Sequence, residues 1–332
     1  MTRPAPRAVL AAVVWMCAGT PGPAGGQEPI RPEPAVAPPD RRDLDAARLE
    51  AGRRALIDEA LASGAYDRAQ ALLLEAVEGQ PASPPLLRVL GGVLFLRGEY
   101  LGSAVAFKKA EALAPLDDRS RFTLAMSYVV MGRRDWARPE LEKLAGSDAR
   151  SPLYRYWLAR LDYDQERYAE AAAGFRRALA LDPQYLKAHD HLGLCYDALG
   201  RYDDAVRSYR EAIRLNRDRR PPSPWPPLNL GILLMRLDRL DEAEALLRES
   251  ARDDPGFAPA RYQLGLVLEK RARTADAIAE LTRAAELDAS YPEPHYALAR
   301  LYRRTGEAAK ADEALQRFLA LKKEKGQAGG PR

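Results

Sequence analysis

A leucine returns every 34 residues along most of this chain, at Leu56, Leu90, Leu124, Leu158 and Leu192 and, after four inserted residues, at Leu230, Leu264 and Leu298. A fixed period of this length constrains the fold more than any other feature, because it belongs to a stack of similar units and not to a single compact core. With the leucine as position seven, units begin at Glu50, Pro84, Asp118, Pro152, Leu186, Pro224, Ala258 and Pro292, and Arg220 to Ser223 form the insertion. Position eight is small in seven of the eight units (Gly91, Ala125, Ala159, Gly193, Gly231, Gly265, Ala299), with Ile57 the exception. Position twenty is small throughout: Ala69, Ser103, Ala137, Ala171, Ala205, Ala243, Ala277 and Ala311. Position twenty-four is always large: Leu73, Phe107, Leu141, Phe175, Tyr209, Leu247, Leu281 and Leu315.

These spacings predict two helices per unit. Positions seven, eight and eleven share one face of a first helix, and positions twenty, twenty-four and twenty-seven share one face of a second. Small residues let two backbones approach, and the large residue fills the space beside them. Glycine at position fifteen (Gly64, Gly98, Gly132, Gly200, Gly306) supplies a left-handed residue that ends the first helix. Proline at position thirty-two (Pro81, Pro115, Pro183, Pro255) stops the second.

The segment Leu192-Gly193…Tyr196…Gly200…Tyr202…Ala205…Tyr209…Ala212 resembles the tetratricopeptide repeat motif nearly position by position, and the frame extends that resemblance over residues 50–325. The resemblance implies an all-α fold, a right-handed α-solenoid superhelix of stacked helix-turn-helix repeats with a concave groove. It also implies a chain that binds peptides or proteins and catalyses nothing. Three departures stand out. Asp162 replaces the large residue usual at position eleven and is expected to loosen repeat four. Pro139 stands near the start of a second helix, where it removes a backbone donor unless that helix begins late. The prolines of the 220–227 junction place the start of the first helix of repeat six near Pro227.

The ends read differently from the array. Arg3 and Arg7 precede an apolar run from Ala8 to Ala18, and Ala24-Gly25-Gly26 offers a cleavage site. Residues 1–26 therefore read as a secretory signal. The run is shorter than the roughly 20 residues that span a bilayer. The expected location is periplasmic or secreted, the alternative being anchorage through an uncleaved N-terminus. Residues 27–42 read as a proline-rich disordered spacer, 43–219 as repeats one to five with an N-terminal helix extension, 224–325 as repeats six to eight, and 326–332 as a disordered tail. The net charge of +4 falls to near balance without the signal, so no electrostatic footprint for nucleic acid is present.

The sequence contains no phosphate loop, zinc-protease helix or nucleophile elbow. His191 and Cys195 are four residues apart, two ligands where a zinc site needs three or four. We expect no catalytic residue, no cofactor and no metal. Cys195 reads as a small core residue.

Positions two, five, nine and twelve of the first helices form a stripe opposite the packed face. The stripe carries Phe95, Phe122, Met126, Tyr156, Arg160, Tyr163, Trp225, Tyr262, Tyr296 and Arg300, aromatic and arginine anchors of the kind that dominate binding surfaces. None stands at a position the motif needs for packing, so truncating Tyr156 and Phe122 is expected to spare the fold. The resembled family also includes members that clamp C-terminal carboxylates with lysine and asparagine at fixed groove positions, and those residue types are absent from that arrangement here. We expect an exported, non-catalytic scaffold that binds a protein or peptide partner in bacterial envelope assembly. The alternatives are a self-assembling structural subunit, joined through its uncapped C-terminal repeat into a homo-oligomer, and the regulatory part of an enzyme complex. N-terminal sequencing of envelope-fraction protein should begin near Gln27; an intact Met1 in the cytoplasm would exclude export.

Overall fold

The computed structural model describes residues 41–328, with side chains from Arg42 to Lys325. The signal segment, the spacer as far as Asp40 and residues 329–332 lie outside the described residues. Within them the chain is helical, without strands. It divides into two compact units, one ending at Tyr185 and the other beginning at Leu186.

The first unit opens with α1 (Arg41–Ala46) and continues as hairpins: α2 (Ala51–Ala62) with α3 (Tyr66–Gly79), α4 (Pro84–Leu96) with α5 (Tyr100–Leu113), α6 (Asp118–Val130) with α7 (Arg134–Ser147), and α8 (Pro152–Tyr163) with α9 (Tyr168–Leu181). The second repeats the scheme: α10 (Leu186–Ala198) with α11 (Tyr202–Asn216), α12 (Trp225–Arg236) with α13 (Leu240–Asp253), α14 (Ala258–Lys270) with α15 (Thr274–Leu287), and α16 (Pro292–Thr305) with α17 (Ala308–Ala328). Within each unit a hairpin packs on the next through its second helix and the following first helix.

The small residue at position eight faces the large one at position twenty-four of its own hairpin. A Cβ added to Gly193 would stand 2.6 Å from the Tyr209 ring, one on Gly265 2.6 Å from Leu281, one on Gly231 2.8 Å from Leu247 and one on Gly91 2.9 Å from Phe107. All four partners are buried, so the missing methyl is the space the larger side chain occupies.

The turn inside each hairpin is equally regular. In all eight repeats the N–H of position sixteen donates to the carbonyl of position eleven at 2.8–3.0 Å, from Ala65 to Ala60 in repeat one through Glu307 to Tyr302 in repeat eight. This is the helix-ending bond that forms around a left-handed residue. Five repeats place glycine there, and Glu166, Asp238 and Ala272 take the same positive φ without it.

Several local expectations are corrected. α1 does not extend the first helix of repeat one; Arg48 at φ 42 separates them, and α1 packs on α4 with Leu44 and Ala47 buried and Asp43 paired to Arg88. Leu56 is 41% exposed and Ile57 takes the buried place. Pro139 lies inside α7, which starts at Arg134 despite the lost donor. Asp162 does not leave a loose spot: its carboxylate joins Arg138 (2.5 Å) and Arg167. α12 begins at Trp225, before both Pro226 and Pro227, because the first N–H groups of a helix have no partner to lose. The insertion ahead of it is tied down, with Asn216 donating to the Ser223 carbonyl and accepting from the Ser223 N–H, both at 2.8 Å. α17 continues to Ala328, past the boundary drawn at residue 325.

The substitution Gly193→Ala tests the hairpin contact. Alanine favours the helix by about 1 kcal/mol, whereas overpacking costs about 1–3 kcal/mol. With Tyr209 buried and unable to retreat, the net effect is a loss of up to about 2 kcal/mol. Gly146→Ala, which meets nothing within 4 Å, should lose none. Denaturant melts of the two variants check the difference in sign.

Candidate functional site

The ten residues of the first-helix stripe separate by burial. Phe95, Phe122, Met126, Tyr156, Arg160 and Tyr163 are buried. Trp225, Tyr262 and Tyr296 are half-buried and Arg300 is exposed. These six side chains of the first unit are therefore interior. Phe95 meets Tyr100 edge-on at 5.3 Å, and Phe122 meets Tyr154 at 5.8 Å. Tyr156 packs on Trp157, Phe175 and Tyr185 at 5.0–5.5 Å. Arg160 is held by Asp164 at 2.9 Å and by the Tyr163 face. Burial opposes its charge, but Tyr156 and Asp164 outweigh that and raise its pKa. The idea that these side chains are spare to the fold is corrected: large aromatics at five and twelve meet rings from elsewhere in their own unit.

The second unit offers an open site. Tyr262 and Leu266 of α14, Tyr296 and Arg300 of α16 and Met235 of α12 line a cleft of about 530 Å³, with Glu269, Lys270, Ala297 and Arg304 completing its wall. A second hollow of about 330 Å³ shares Tyr296, Arg300 and Arg304 and adds Arg303. Tyr262 stands edge-on to Tyr291 at 5.3 Å, and Tyr296 leans on Phe318 at 5.2 Å. Burial, and after it Glu293, pushes the Tyr262 phenol up to about 12. It remains a neutral hydrogen-bonding group across the physiological range.

The charged wall is partly neutralised from within. Glu269 pairs with Arg300 and, at 3.4 Å, with Arg304. The Lys270 ammonium donates to the Met235 carbonyl at 3.2 Å. Lys270, Arg300, Arg303 and Arg304 nevertheless outnumber Glu269, and Arg300 keeps 52% of its side chain exposed. Glu269 is only 12% exposed and stays paired, whereas the outer donors of the Arg300 and Arg304 guanidinium groups face solvent and can take a second acceptor. The cleft joins two phenols, two apolar side chains and a basic rim, which suits an apolar side chain beside a carbonyl or carboxylate.

The cleft brings together Tyr262, Tyr296 and Arg300 of the expected stripe and adds Glu269, Lys270 and Arg304, which the stripe residues singled out from the sequence did not include. The last two stand at position thirteen, one place beyond the stripe, a signal available in the repeat numbering. Trp225 faces Phe257 at 4.8 Å and lies outside the cleft. Cys195 is a buried thiol, and the His191 imidazole contacts the Lys187 carbonyl at 2.9 Å. Among the described residues no helix is long and apolar enough to cross a membrane, and no group of three metal-ligating side chains occurs.

Tetratricopeptide repeat family models match residues 54–118, 122–185 and 158–224, then 198–267, then 295–328. No curated protein matches. Among solved structures, a tetratricopeptide repeat protein from Parabacteroides merdae aligns at TM-score 0.61 and 15% identity, over 78% of this chain and 98% of that one. PilW, a type IV pilus biogenesis factor, aligns at 0.56 and 20% identity over 61% and 92%. The Cut9–Hcn1 structure aligns at 0.52 and 20% identity over 84% and 52%. These likenesses establish the fold.

Burial makes a direct prediction. Phe122→Ala and Tyr156→Ala should each cost about 3–5 kcal/mol, the range for truncating a buried ring, read as a drop in melting temperature. A melt unchanged by either would mean the rings are open to solvent.

Proposed function

Since this chain belongs to the tetratricopeptide repeat family, we propose that it is a non-catalytic scaffold which holds a protein or peptide segment against the first helices of repeats six to eight. The observation that carries this reading is the cleft itself. Tyr262, Tyr296 and Arg300 remain accessible there after the hairpin contacts at positions eight and twenty-four have formed the core. Aromatic rings supply contact area with few rotors to freeze, and arginine supplies paired donors. The apolar run and cleavage site near the N-terminus support export, and with it a partner in the bacterial envelope.

A self-assembling subunit is the second reading, favoured by Leu319, 52% exposed on the last helix. Light scattering on the mature chain separates it from the first.

A photo-cross-linking residue at position 296, introduced in the native organism, should yield one dominant adduct that mass spectrometry identifies. Arg300→Ala should then weaken capture of that partner about tenfold, or ~1.4 kcal/mol, with an unchanged melt. Adducts no different from those formed at an arbitrary exposed position would exclude the cleft as the binding site.

A further inference from the structure

The repeats serve as controls for one another. Position eighteen is Asp67, Asp135, Asp203 and Asp241 in four repeats and Ala169, Ala275 and Ala309 in three; in repeat two it is Leu101. Position nineteen is charged in six repeats, Gly102 in repeat two and Trp136 in repeat three. Position twenty-two is Val105 in repeat two, against alanine in four repeats and Pro139, Arg207 and Glu313 in the other three. Seven other copies fold without a large apolar residue at position eighteen, so Leu101 is not demanded by the hairpin. It is also not covered: Leu101 is 66% exposed, Trp136 55% and Val105 47%.

The structure brings these three exceptions together. They border one groove of about 370 Å³ that runs between α5 and α7, with Ala104 and Tyr128 in its floor and Lys108 and Lys109 on its rim. Trp136 is held on edge by Tyr128 at 5.6 Å and lies under the Arg133 guanidinium at 5.4 Å, an orientation fixed before any partner arrives. Where Asp67 and Asp241 pair with Arg97 and Arg271 of the following repeat, the equivalent places hold Leu101 and Met131. An ion pair between repeats has been exchanged for apolar surface left in water, and surface of that kind marks an interaction site.

Charge and spacing define the occupant. Lys108, Lys109, Lys143 and Arg121 stand at this end of the groove against Glu111 and Glu140, a surplus of positive charge. Leu101, Val105, Lys108 and Ala112 follow one another at helical steps along α5, the pattern that interlocks with ridges on another helix. We propose that the α5–α7 groove is a second docking surface, independent of the cleft on repeats six to eight, and that it receives an amphipathic helix of a partner protein whose apolar strip is flanked by acidic residues.

The test is a displayed library of 16-residue helices with a fixed apolar strip and randomised flanks, selected on the full mature chain. Enriched helices should carry acidic flanks and lose binding at least tenfold on Leu101→Asp and on Trp136→Ser, while Arg300→Ala leaves them unchanged. Leu101→Asp restores the residue that four sibling repeats carry, so the fold tolerates it, and Trp136→Ser gives an independent reading. Helices with basic flanks, or helices indifferent to both variants, would overturn the proposal. So would a chain that is dimeric by light scattering and becomes monomeric on Leu101→Asp, because a second copy would then own the patch. Trp136-dependent sedimentation with vesicles of phosphatidylglycerol would overturn it in favour of a lipid surface.

Discussion

Everything in this molecule rests on the close approach of position eight to position twenty-four within a hairpin. Where position eight is glycine, the absent methyl leaves room for Tyr209, Phe107, Leu247 or Leu281 to sit against the first helix. The contact is local in sequence, so each hairpin supplies its own share of the core and its neighbours supply the rest, as expected of arrays whose stability is a sum of repeat and nearest-neighbour terms. With the core formed there, the remaining faces are free to diverge between copies, and divergence is where both candidate surfaces lie.

The fold was legible in the sequence because it depends on this repeated local contact and on a repeated turn. Period, small positions and turn glycines were enough to place the helices. What escaped was governed by interactions that repeat counting does not see. Asp162 looked like a defect at a packing position and is the acceptor of two arginines. The start of α12 looked excluded by prolines, although a helix can begin on residues whose N–H groups would be unsatisfied in any case.

The binding stripe was only half legible. Angular position on a helix assigned Tyr156, Phe122 and Tyr262 alike to the face opposite the core, yet Tyr156 and Phe122 are interior whereas Tyr262 borders an open cleft. A helical wheel shows which way a side chain points but not whether another ring waits there. Tyr185 stands against Tyr156, and Tyr154 against Phe122. The groove on α5 and α7 was missed for the opposite reason: its residues look unremarkable singly, and only comparison of equivalent positions shows Leu101 and Trp136 to be departures.

The eight turns have a consequence of a mechanical kind. Each is closed by the same backbone bond, but Glu166, Asp238 and Ala272 hold a left-handed conformation that costs a side-chain-bearing residue about 1 kcal/mol or more. Hairpins joined end to end bear a stretching force in series, so the weakest yields first. Under tension the chain would lengthen in steps of one hairpin, and of two hairpins alike in their other contacts the one turned through Glu166, Asp238 or Ala272 would give way before one turned through glycine.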